Sequence, residues 1–201
     1  MTATQLVLAS TSIYRRELLN KLRLPFVVAA PHINETPLPD EAPDTAALRL
    51  SIGKAKAVAV DFPGALIIGS DQIASLNGNH IGKPGNHANA VVQLRQMRGQ
   101  SIIFYTALSL YNSASDRLQS CVVPTTVRIR NLSDSQIEYY LHKDQPYDCA
   151  GSARSEGLGI AIMDSMTGND PNALIGLPLI ALTDMLANEG WDVLAARIFA
   201  K

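Results

Sequence analysis

The sequence predicts an α/β protein in which helices cover both faces of a mixed sheet, giving three α/β/α layers and two lobes around a central cleft. Short apolar runs alternate with segments of helical periodicity over the first third of the chain. Two longer runs, residues 101–111 and 119–130, are rich in β-branched and aromatic residues and predict an antiparallel hairpin. No repeat or low-complexity linker divides the 201 residues, so we expect one domain over residues 1–201.

Composition and charge favour a folded globular protein and argue against several functions. Hydrophobic residues make up 47% of the chain and charged residues 17%, which is far from the composition of disordered proteins. With 17 Lys and Arg against 18 Asp and Glu, no broad basic surface for nucleic acid or acidic membranes is expected. No stretch approaches the roughly 18 apolar residues of a membrane span. We therefore expect a cytoplasmic protein without nucleic-acid or membrane partners.

Neither the cysteines nor the histidines have the spacing of metal ligands. Cys121 and Cys149 form no CxxC pair, which predicts buried free thiols. The histidines show no HExxH or other ligand pattern, so we expect each in a surface or loop position. They are His32, His80, His87 and His142. The spacing therefore argues against metal chemistry by histidine.

The amino-terminal third predicts two strand–loop–helix units. An apolar run is followed by three hydroxyl residues and then by leucines at helical spacing. A second apolar run is followed by a Pro-rich acidic loop, of a length that is often functional, and by a second helical pattern. The predicted ranges are a strand at 5–9, a helix through Leu22, a strand at 26–30, a surface loop at 31–43 and a helix from Asp44 to a break at 63–64.

The middle of the chain predicts a buried strand, a tight hairpin and a capped helix. A continuous apolar run of strand length suits a strand buried on both faces, and we expect it to end at residues 69–72. Asn77 and Gly78 tolerate positive φ and favour a tight turn between two short strands. Asn86 can cap the next helix, and Gly99 stands where a left-handed residue ends it. The predicted ranges are strands at 65–68, 73–76 and 80–81 and a helix at 86–98.

The carboxyl-terminal part predicts two further helices. Ser133 and Gln136 have the spacing of a capping box, which opens a helix that reaches Leu141. A Gly-containing loop at 151–157, an apolar run at 158–163 and a last helix at about 179–188 follow.

An anion site is predicted where the first strand meets the first helix. Unpaired N–H groups of the helix, the hydroxyls of Ser10 and Ser12, and the guanidinium groups of Arg15 and Arg16 converge there. The alternative is that Ser12 only caps the helix and that both arginines are solvated. The chain has no GxxxxGK[ST] and no GxGxxG motif, which weakens P-loop and Rossmann interpretations.

Four charged residues outside this turn are further candidates. Asp71 directly follows a buried strand and would point into the crevice where α/β proteins bind ligands, unless it is a turn aspartate bonded to its own backbone. Lys83 lies in a turn from which its charge could reach a phosphate. Lys54 lies on the second helix and need not face bulk water, although snorkelling to solvent is common. Glu35, in the Pro-rich loop, has no interpretation by itself.

Seven separated motifs follow one another along residues 6–186, and their combination is far more specific than any one of them. They are residues 9–19 (ASTSIYRRELL), 34–36 (NET), 54–55 (KA), 68–72 (IGSDQ), 82–84 (GKP), 104–106 (FYT) and 149–157 (CAGSARSEG). Together they resemble the Maf-like nucleotide pyrophosphatase family. The Ser-Asp-Gln and Ser-Glu-Gly variants resemble its 7-methyl-GTP pyrophosphatase branch rather than the branch that acts on dTTP and UTP.

The resemblance implies a fold like that of Maf and inosine triphosphate pyrophosphatase, and hydrolysis of a nucleoside triphosphate at the α–β anhydride. For this branch the substrate is 7-methyl-GTP and the products are 7-methyl-GMP and pyrophosphate, which removes modified nucleotides. The resemblance also implies a divalent cation, Mg²⁺ or Mn²⁺, with unknown ligands, and a possible homodimer. Two alternatives stay open: a pyrophosphatase for another non-standard nucleotide, and a non-catalytic nucleotide-binding regulator of cell division.

The functional positions of the family fall on residues of this chain. The proton acceptor matches Asp71, which suits a carboxylate that deprotonates the attacking water. Glu35 matches an acidic position that either helps to hold the metal or orders its loop. The phosphate-side positions match basic residues with two supporting serines, whose charges and hydroxyls would stabilise the leaving pyrophosphate. They are Arg15, Lys54 and Lys83, with Ser10 and Ser12.

The positions that carry base preference in the family match Tyr14, Gln72 and Glu156. Glu156 can accept two hydrogen bonds from a guanine, and Tyr14 could stack on a base made cationic by methylation. Gln72 can both donate and accept. Ala107 departs from the family, which usually has glycine there, and its methyl group could shift a loop or lower the rate.

Overall fold

The computed structural model describes residues 5–36 and 38–195. Within these ranges, two short 3-10 helices, Ala150–Ser152 and Leu158–Ile162, accompany the regular strands and helices. The strands are β1 (Leu6–Ala9), β2 (Val27–Ala29), β3 (Leu66–Leu76), β4 (Asn79–Ile81), β5 (Ser101–Asn112), β6 (Arg117–Ile129) and β7 (Met163–Gly168). The helices are α1 (Ile13–Asn20), α2 (Pro43–Ala59), α3 (His87–Met97), α4 (Asp134–Asp144) and α5 (Leu179–Asn188).

The strands form one mixed sheet in the order β2-β1-β3-β5-β6-β7, with β4 beside the far end of β3. β1 runs parallel to both β2 and β3, as expected for strands joined by helical crossovers. β5 runs antiparallel to β3 and to β6, and β7 antiparallel to β6. β3 therefore has a parallel neighbour, β1, only along its first residues, whereas its antiparallel neighbour, β5, accompanies it along nearly its whole length.

Helices cover both faces of the sheet, which confirms the three-layer prediction. Side chains alternate between the faces along β3, so Leu66 and Ile68 pack with α1 and α5, whereas Ile67 packs with α2 on the opposite face. Further along, Ala74 and Phe104 belong to a separate core that contains α3 and α4, on the same face as α1 and α5. These two cores on one face are the two lobes of the molecule.

The local signals at the helix ends behave as predicted. Ser12 caps α1, and Asn86 caps α3. Ser133 and Gln136 form a capping box at the start of α4, with both reciprocal hydrogen bonds present. Gly99 follows α3 with φ of 70°, a conformation that glycine adopts without strain.

The tight turn at Asn77 and Gly78 is also confirmed. Their φ values are 52° and 83°, and the turn joins β3 to β4. The prediction that the preceding strand ends at residues 69–72 is wrong, because these residues continue to pair with β5, from Gly69 opposite Ser109 to Ser75 opposite Ile103. Only the parallel neighbour ends here, since Ala9 of β1 pairs with Gly69.

Two smaller expectations also differ from the structure. β7 is absent from the sequence prediction, because all of its side chains except the first are exposed and show no apolar alternation. Cys121 and Cys149 are free as predicted, but both are half-buried rather than buried. Among the described residues, no helix has the length and apolar character needed to cross a membrane.

We expect Gly69→Ala to lower the free energy of unfolding by about 3 kcal/mol, because the added methyl group overpacks a contact between backbones. A Cβ atom at Gly69 would lie 2.1 Å from the carbonyl oxygen of Ser51 and 2.9 Å from the backbone nitrogen of Ala55, both in α2. Urea unfolding measures the change. Gly82→Ala is the matched control, since a Cβ atom there meets nothing within 4 Å. Equal stability of the two variants would contradict this packing.

Candidate active site

A cavity of about 940 Å³ lies between the two lobes. It is lined by the start of α1, the loop after β2, α2, the middle of β3, the segment 80–83 and the loops at 148–156 and 174–176. Every residue that the family resemblance matched to a functional position lines this cavity. They are Ser10, Ser12, Tyr14, Arg15, Glu35, Lys54, Asp71, Gln72, Lys83 and Glu156.

Lys54 and Asp71 form a buried ion pair at the floor of the cavity. The Nζ atom of Lys54 lies 2.6 Å from Oδ1 of Asp71 and 3.1 Å from Oε2 of Glu35. The Lys54 and Asp71 side chains are 7% and 10% exposed, so Lys54 does not snorkel to solvent. Oδ2 of Asp71 has no hydrogen bond within the described ranges, which leaves it available to a water molecule or a ligand.

Asp71 reaches this position in a different way from the one predicted. It lies in the middle of β3 rather than after it, and two residues beyond the point where β1 ends. The crevice is therefore at the carboxyl end of β1, where β3 continues without a parallel neighbour. Because β3 continues past this point, the backbone of Asp71 still pairs with β5, and this pairing fixes the position from which the carboxylate projects.

The start of α1 supplies Arg15 and a turn of hydroxyl groups. Ser12 Oγ accepts from the backbone nitrogen of Arg15 at 3.4 Å, and the buried Ser10 Oγ accepts from that of Ser12 at 3.1 Å. Arg15 Nε donates to the carbonyl oxygen of Gly176 at 2.9 Å. Burial lowers the pKa of Arg15, and the charges of Asp71 and Glu35 raise it, but a guanidinium stays charged near neutrality. The alternative that both arginines are simply solvated is therefore wrong for Arg15. It is confirmed for Arg16, which is exposed.

Polar side chains on the other face of β3 hold the segment 173–176 in place. Gln72 Nε2 donates to the carbonyl oxygens of Ala173 and Leu174 at 3.0 and 2.9 Å, and to Thr106 Oγ1 at 2.9 Å. Gln72 itself lines the cavity, and its amide oxygen is a hydrogen-bond acceptor. Ser70 Oγ lies 2.9 Å from the same Gly176 carbonyl oxygen that Arg15 contacts.

The sequence analysis gave no role to Ser70 and Thr106. Both side chains are fully buried, and Thr106 Oγ1 donates to the carbonyl oxygen of Ala173 at 2.8 Å. Both residues lie inside motifs that the resemblance to the family singled out, and that was the available signal. Their contacts to Ala173 and Gly176 join residues 67 and 106 positions apart in the chain, which no sequence pattern reveals.

Tyr14 connects α1 to the opposite lobe. Its hydroxyl is hydrogen-bonded to Arg154, whose Nη2 lies 2.5 Å from Oδ1 of Asp144. Burial raises the pKa of Tyr14, and the hydrogen bond to Arg154 opposes that shift. Arg154 and Asp144 are a second pair that the sequence analysis missed. They fix the side of the cavity where Glu156 is exposed, with Ser155 Oγ donating to Glu156 Oε2 at 3.3 Å.

Two further side chains define what the cavity offers to a substrate. Lys83 is exposed at the rim and has no ion pair within the described part of the chain. Burial, with the neighbouring Asp148 charge, raises the pKa of the Cys149 thiol to about 12. Cys149 is therefore protonated near neutral pH and is not an activated nucleophile. The cavity thus combines fixed cations with carboxylates, which favours attack by water on an anionic substrate.

The carboxylates of this cavity fit a divalent cation. Asp71 and Glu35 contact the same Lys54 nitrogen, so their oxygens lie close together at the cavity surface. Oxygen ligands of this kind suit Mg²⁺ and Mn²⁺, which proteins often hold with one or two carboxylates and the phosphates of the substrate. The donor set therefore agrees with the cation that the resemblance implies.

Two of the histidines lie in helices rather than in loops, and they come close together. His87, Glu138 and His142 each offer a ligand atom within 4.8 Å of the others. The cluster is formed by two different helices, so spacing along the chain does not show it. It lies outside the cavity described above.

Comparisons with known proteins decide the family. The family model described as "Maf-like protein" matches residues 5–189. The chain belongs to the Maf-like family. This Maf-like protein is 60% identical over 189 residues to a Methylobacillus flagellatus protein named "7-methyl-GTP pyrophosphatase", covering 94% of this chain and 98% of that protein. A Thiobacillus denitrificans protein of the same name is 59% identical over 193 residues, covering 96% of each chain.

Two solved structures also resemble this Maf-like protein. The Ham1 protein of Staphylococcus aureus matches with a TM-score of 0.45 and 15% identity over 64% of this chain and 73% of that chain. A HAM1 protein from Coxiella burnetii matches with a TM-score of 0.46 and 17% identity over 65% of this chain and 75% of that chain.

Ala107 of this Maf-like protein lies in a regular strand. It is fully buried and pairs with Asp71 of β3 and with Val122 of β6. Its methyl group is thus accommodated inside the sheet next to the Asp71 backbone, rather than in a loop that approaches a ligand.

Proposed function

We propose that this Maf-like protein hydrolyses 7-methyl-GTP to 7-methyl-GMP and pyrophosphate, with the help of a divalent cation. The observation that carries the proposal is the buried pair of Lys54 and Asp71, which lines the same cavity as Arg15 and Lys83. Relatives at 56–60% identity that are named 7-methyl-GTP pyrophosphatase support the choice of substrate.

The reaction uses water as the nucleophile. Oδ2 of Asp71 accepts a proton from the water, whose oxygen attacks the α-phosphorus while the bond to the bridging oxygen breaks and pyrophosphate leaves. Arg15, the N–H groups at the start of α1 and Lys83 stabilise the negative charge on the leaving group. Glu35, together with Oδ1 of Asp71, would hold a Mg²⁺ or Mn²⁺ ion, which would supply further neutralisation of the phosphate charge when bound.

Base preference rests on three further residues that line the cavity, Tyr14, Gln72 and Glu156. Glu156 accepts hydrogen bonds from the ring N–H and the amino group of guanine, and its negative charge favours the cationic methylated base. Tyr14, whose ring is held by the hydrogen bond to Arg154, offers a face on which that base stacks. Gln72 presents an acceptor, because its amide nitrogen is already used by the backbone of 173–174.

The remaining expectations belong to the same proposal. The enzyme acts in the cytoplasm on free nucleotides, as one domain over residues 1–201, and without nucleic acid or membranes as partners. The near-neutral net charge of −1 supports the absence of a polyanion partner. A homodimer is supported by the family resemblance.

We expect Asp71→Asn to lower kcat for pyrophosphate release by about 10²- to 10⁴-fold, the range of a lost general base. The assay follows pyrophosphate release from canonical and methylated nucleoside triphosphates with Mg²⁺ or Mn²⁺. Asp164→Asn is the matched control, since Asp164 is an exposed carboxylate near Arg128 and Arg130 and should keep full activity. Tight nucleotide binding by folded wild-type protein without turnover of any substrate would favour the regulator instead.

We expect Glu156→Gln to lower the ratio of kcat/KM for 7-methyl-GTP over GTP by about tenfold, because a charged hydrogen-bond acceptor is replaced by a neutral group. Glu17→Gln, which changes an exposed glutamate that also lines the cavity, should leave the ratio unchanged. An unchanged ratio in Glu156→Gln would remove Glu156 from the base site.

A further inference from the structure

Two helices of the second lobe bring two histidines and a glutamate together. His87 is the first residue of α3, and Glu138 and His142 lie one turn apart on the same face of α4. Nε2 of His87 lies 2.8 Å from Oε2 of Glu138, and Nε2 of His142 lies 3.7 Å from the same oxygen. Both nitrogens therefore converge on a single carboxylate oxygen.

Tyr147 is a further partner of His87. Nδ1 of His87 lies 3.0 Å from the Tyr147 hydroxyl oxygen, which also lies 3.3 Å from the carbonyl oxygen of Leu141. The other ring nitrogen of His87, Nε2, faces Glu138.

His142 adds a second imidazole nitrogen beside the same carboxylate oxygen. The three ligand atoms, one from each residue, all lie within 4.8 Å of one another. A hydrogen bond joins only one nitrogen to the carboxylate, whereas a metal ion can bind both nitrogens and the carboxylate at once.

The donor set matches a transition metal better than Mg²⁺. Two imidazoles and one carboxylate, with water in the fourth position, form a ligand set that Zn²⁺ uses in open tetrahedral sites. With ligand bonds near 2.0–2.1 Å, the ligand atoms of such a site lie about 3.3 Å apart, and the observed 2.8 and 3.7 Å bracket that value. The bond from His87 Nδ1 to Tyr147 is the outer contact that commonly orients a metal-binding histidine.

We propose that His87, Glu138 and His142 bind a transition-metal dication, Zn²⁺ by the chemistry of the ligands, at a site separate from the catalytic cavity. The ion would join the start of α3 to α4. Tyr147, the partner of His87, accepts a hydrogen bond at its backbone oxygen from the nitrogen of Gly85 at 2.9 Å. Gly85 and Tyr147 are close in the chain to the cavity segments 80–83 and 148–156, so the proposed metal site lies near this wall of the cavity. Zn²⁺ would thereby stabilise the second lobe and the wall of the cavity.

The test titrates Zn²⁺ into chelator-treated protein against a competing zinc indicator at about pH 8, where histidine is neutral. We expect His142→Ala to lower Zn²⁺ affinity at this site by at least about 100-fold, since even the loss of an outer contact costs 10- to 100-fold. His142 is 72% exposed, so this variant should fold normally. Glu138→Gln should have a similar effect, and Zn²⁺ should raise the Tm of the wild type but not of either variant.

Two controls separate this site from others. His32→Gln removes an exposed histidine elsewhere and should keep Zn²⁺ affinity, and Asp71→Asn should keep it as well, although it alters the catalytic cavity. Co²⁺ should give visible absorption bands in the wild type that His142→Ala lacks. Wild-type Zn²⁺ affinity in His142→Ala, or no Zn²⁺ binding by the wild type, would overturn the proposal and leave only a hydrogen bond between His87 and Glu138.

Discussion

The ion pair between Lys54 and Asp71 is the interaction on which the cavity depends. It joins α2 to β3 where β3 has lost its parallel neighbour β1. The pair forms because α2 approaches β3 unusually closely at Gly69, where a side chain would collide with the helix backbone. Gly69 and Asp71 face the same side of the strand, and Lys54 is next to Ala55 of that contact. A glycine in a strand thus determines how a buried lysine reaches a carboxylate.

Because side chains alternate along β3, the strand also positions groups on its second face. The odd-numbered Gly69 and Asp71 face α2, while the even-numbered Ser70 and Gln72 face the segment 173–176. That segment in turn accepts from Arg15 through the Gly176 carbonyl oxygen. One strand therefore positions the Asp71 carboxylate on one face and, through hydrogen bonds to the carbonyl oxygens of 173–176, helps to position Arg15 on the other. The arrangement explains why a continuous strand carries the polar sequence Gly-Ser-Asp-Gln.

Local signals were sufficient for much of the fold. The capping box of Ser133 predicted the start of α4, and the turn at Asn77 predicted the β3–β4 hairpin, because both depend on neighbours along the chain. The extent of β3 was missed, because its polar middle is held by β5, a partner about 40 residues later. β7 was missed because its exposed side chains lack an apolar face.

The same distinction applies to the functional groups. Motif resemblance selected residues that all line one cavity, but it did not show what holds them there. Tyr14 depends on Arg154 and Asp144 from the other lobe, which no spacing along the chain indicates. The histidine cluster on α3 and α4 was excluded by the absence of a motif, although tertiary packing forms it.

The most direct test of this account is a double-mutant cycle on the buried pair, with Lys54→Met, Asp71→Asn and the double variant compared by urea unfolding. Removing Lys54 leaves the buried Asp71 charge uncompensated, and removing Asp71 leaves Lys54 with only the half-exposed Glu35, so we expect each single variant to lose about 3 kcal/mol of unfolding free energy. The double variant should lose less than the sum of the two losses, by at least about 1 kcal/mol. Strictly additive losses would show that the two charges do not depend on each other, and would contradict the central role of the pair.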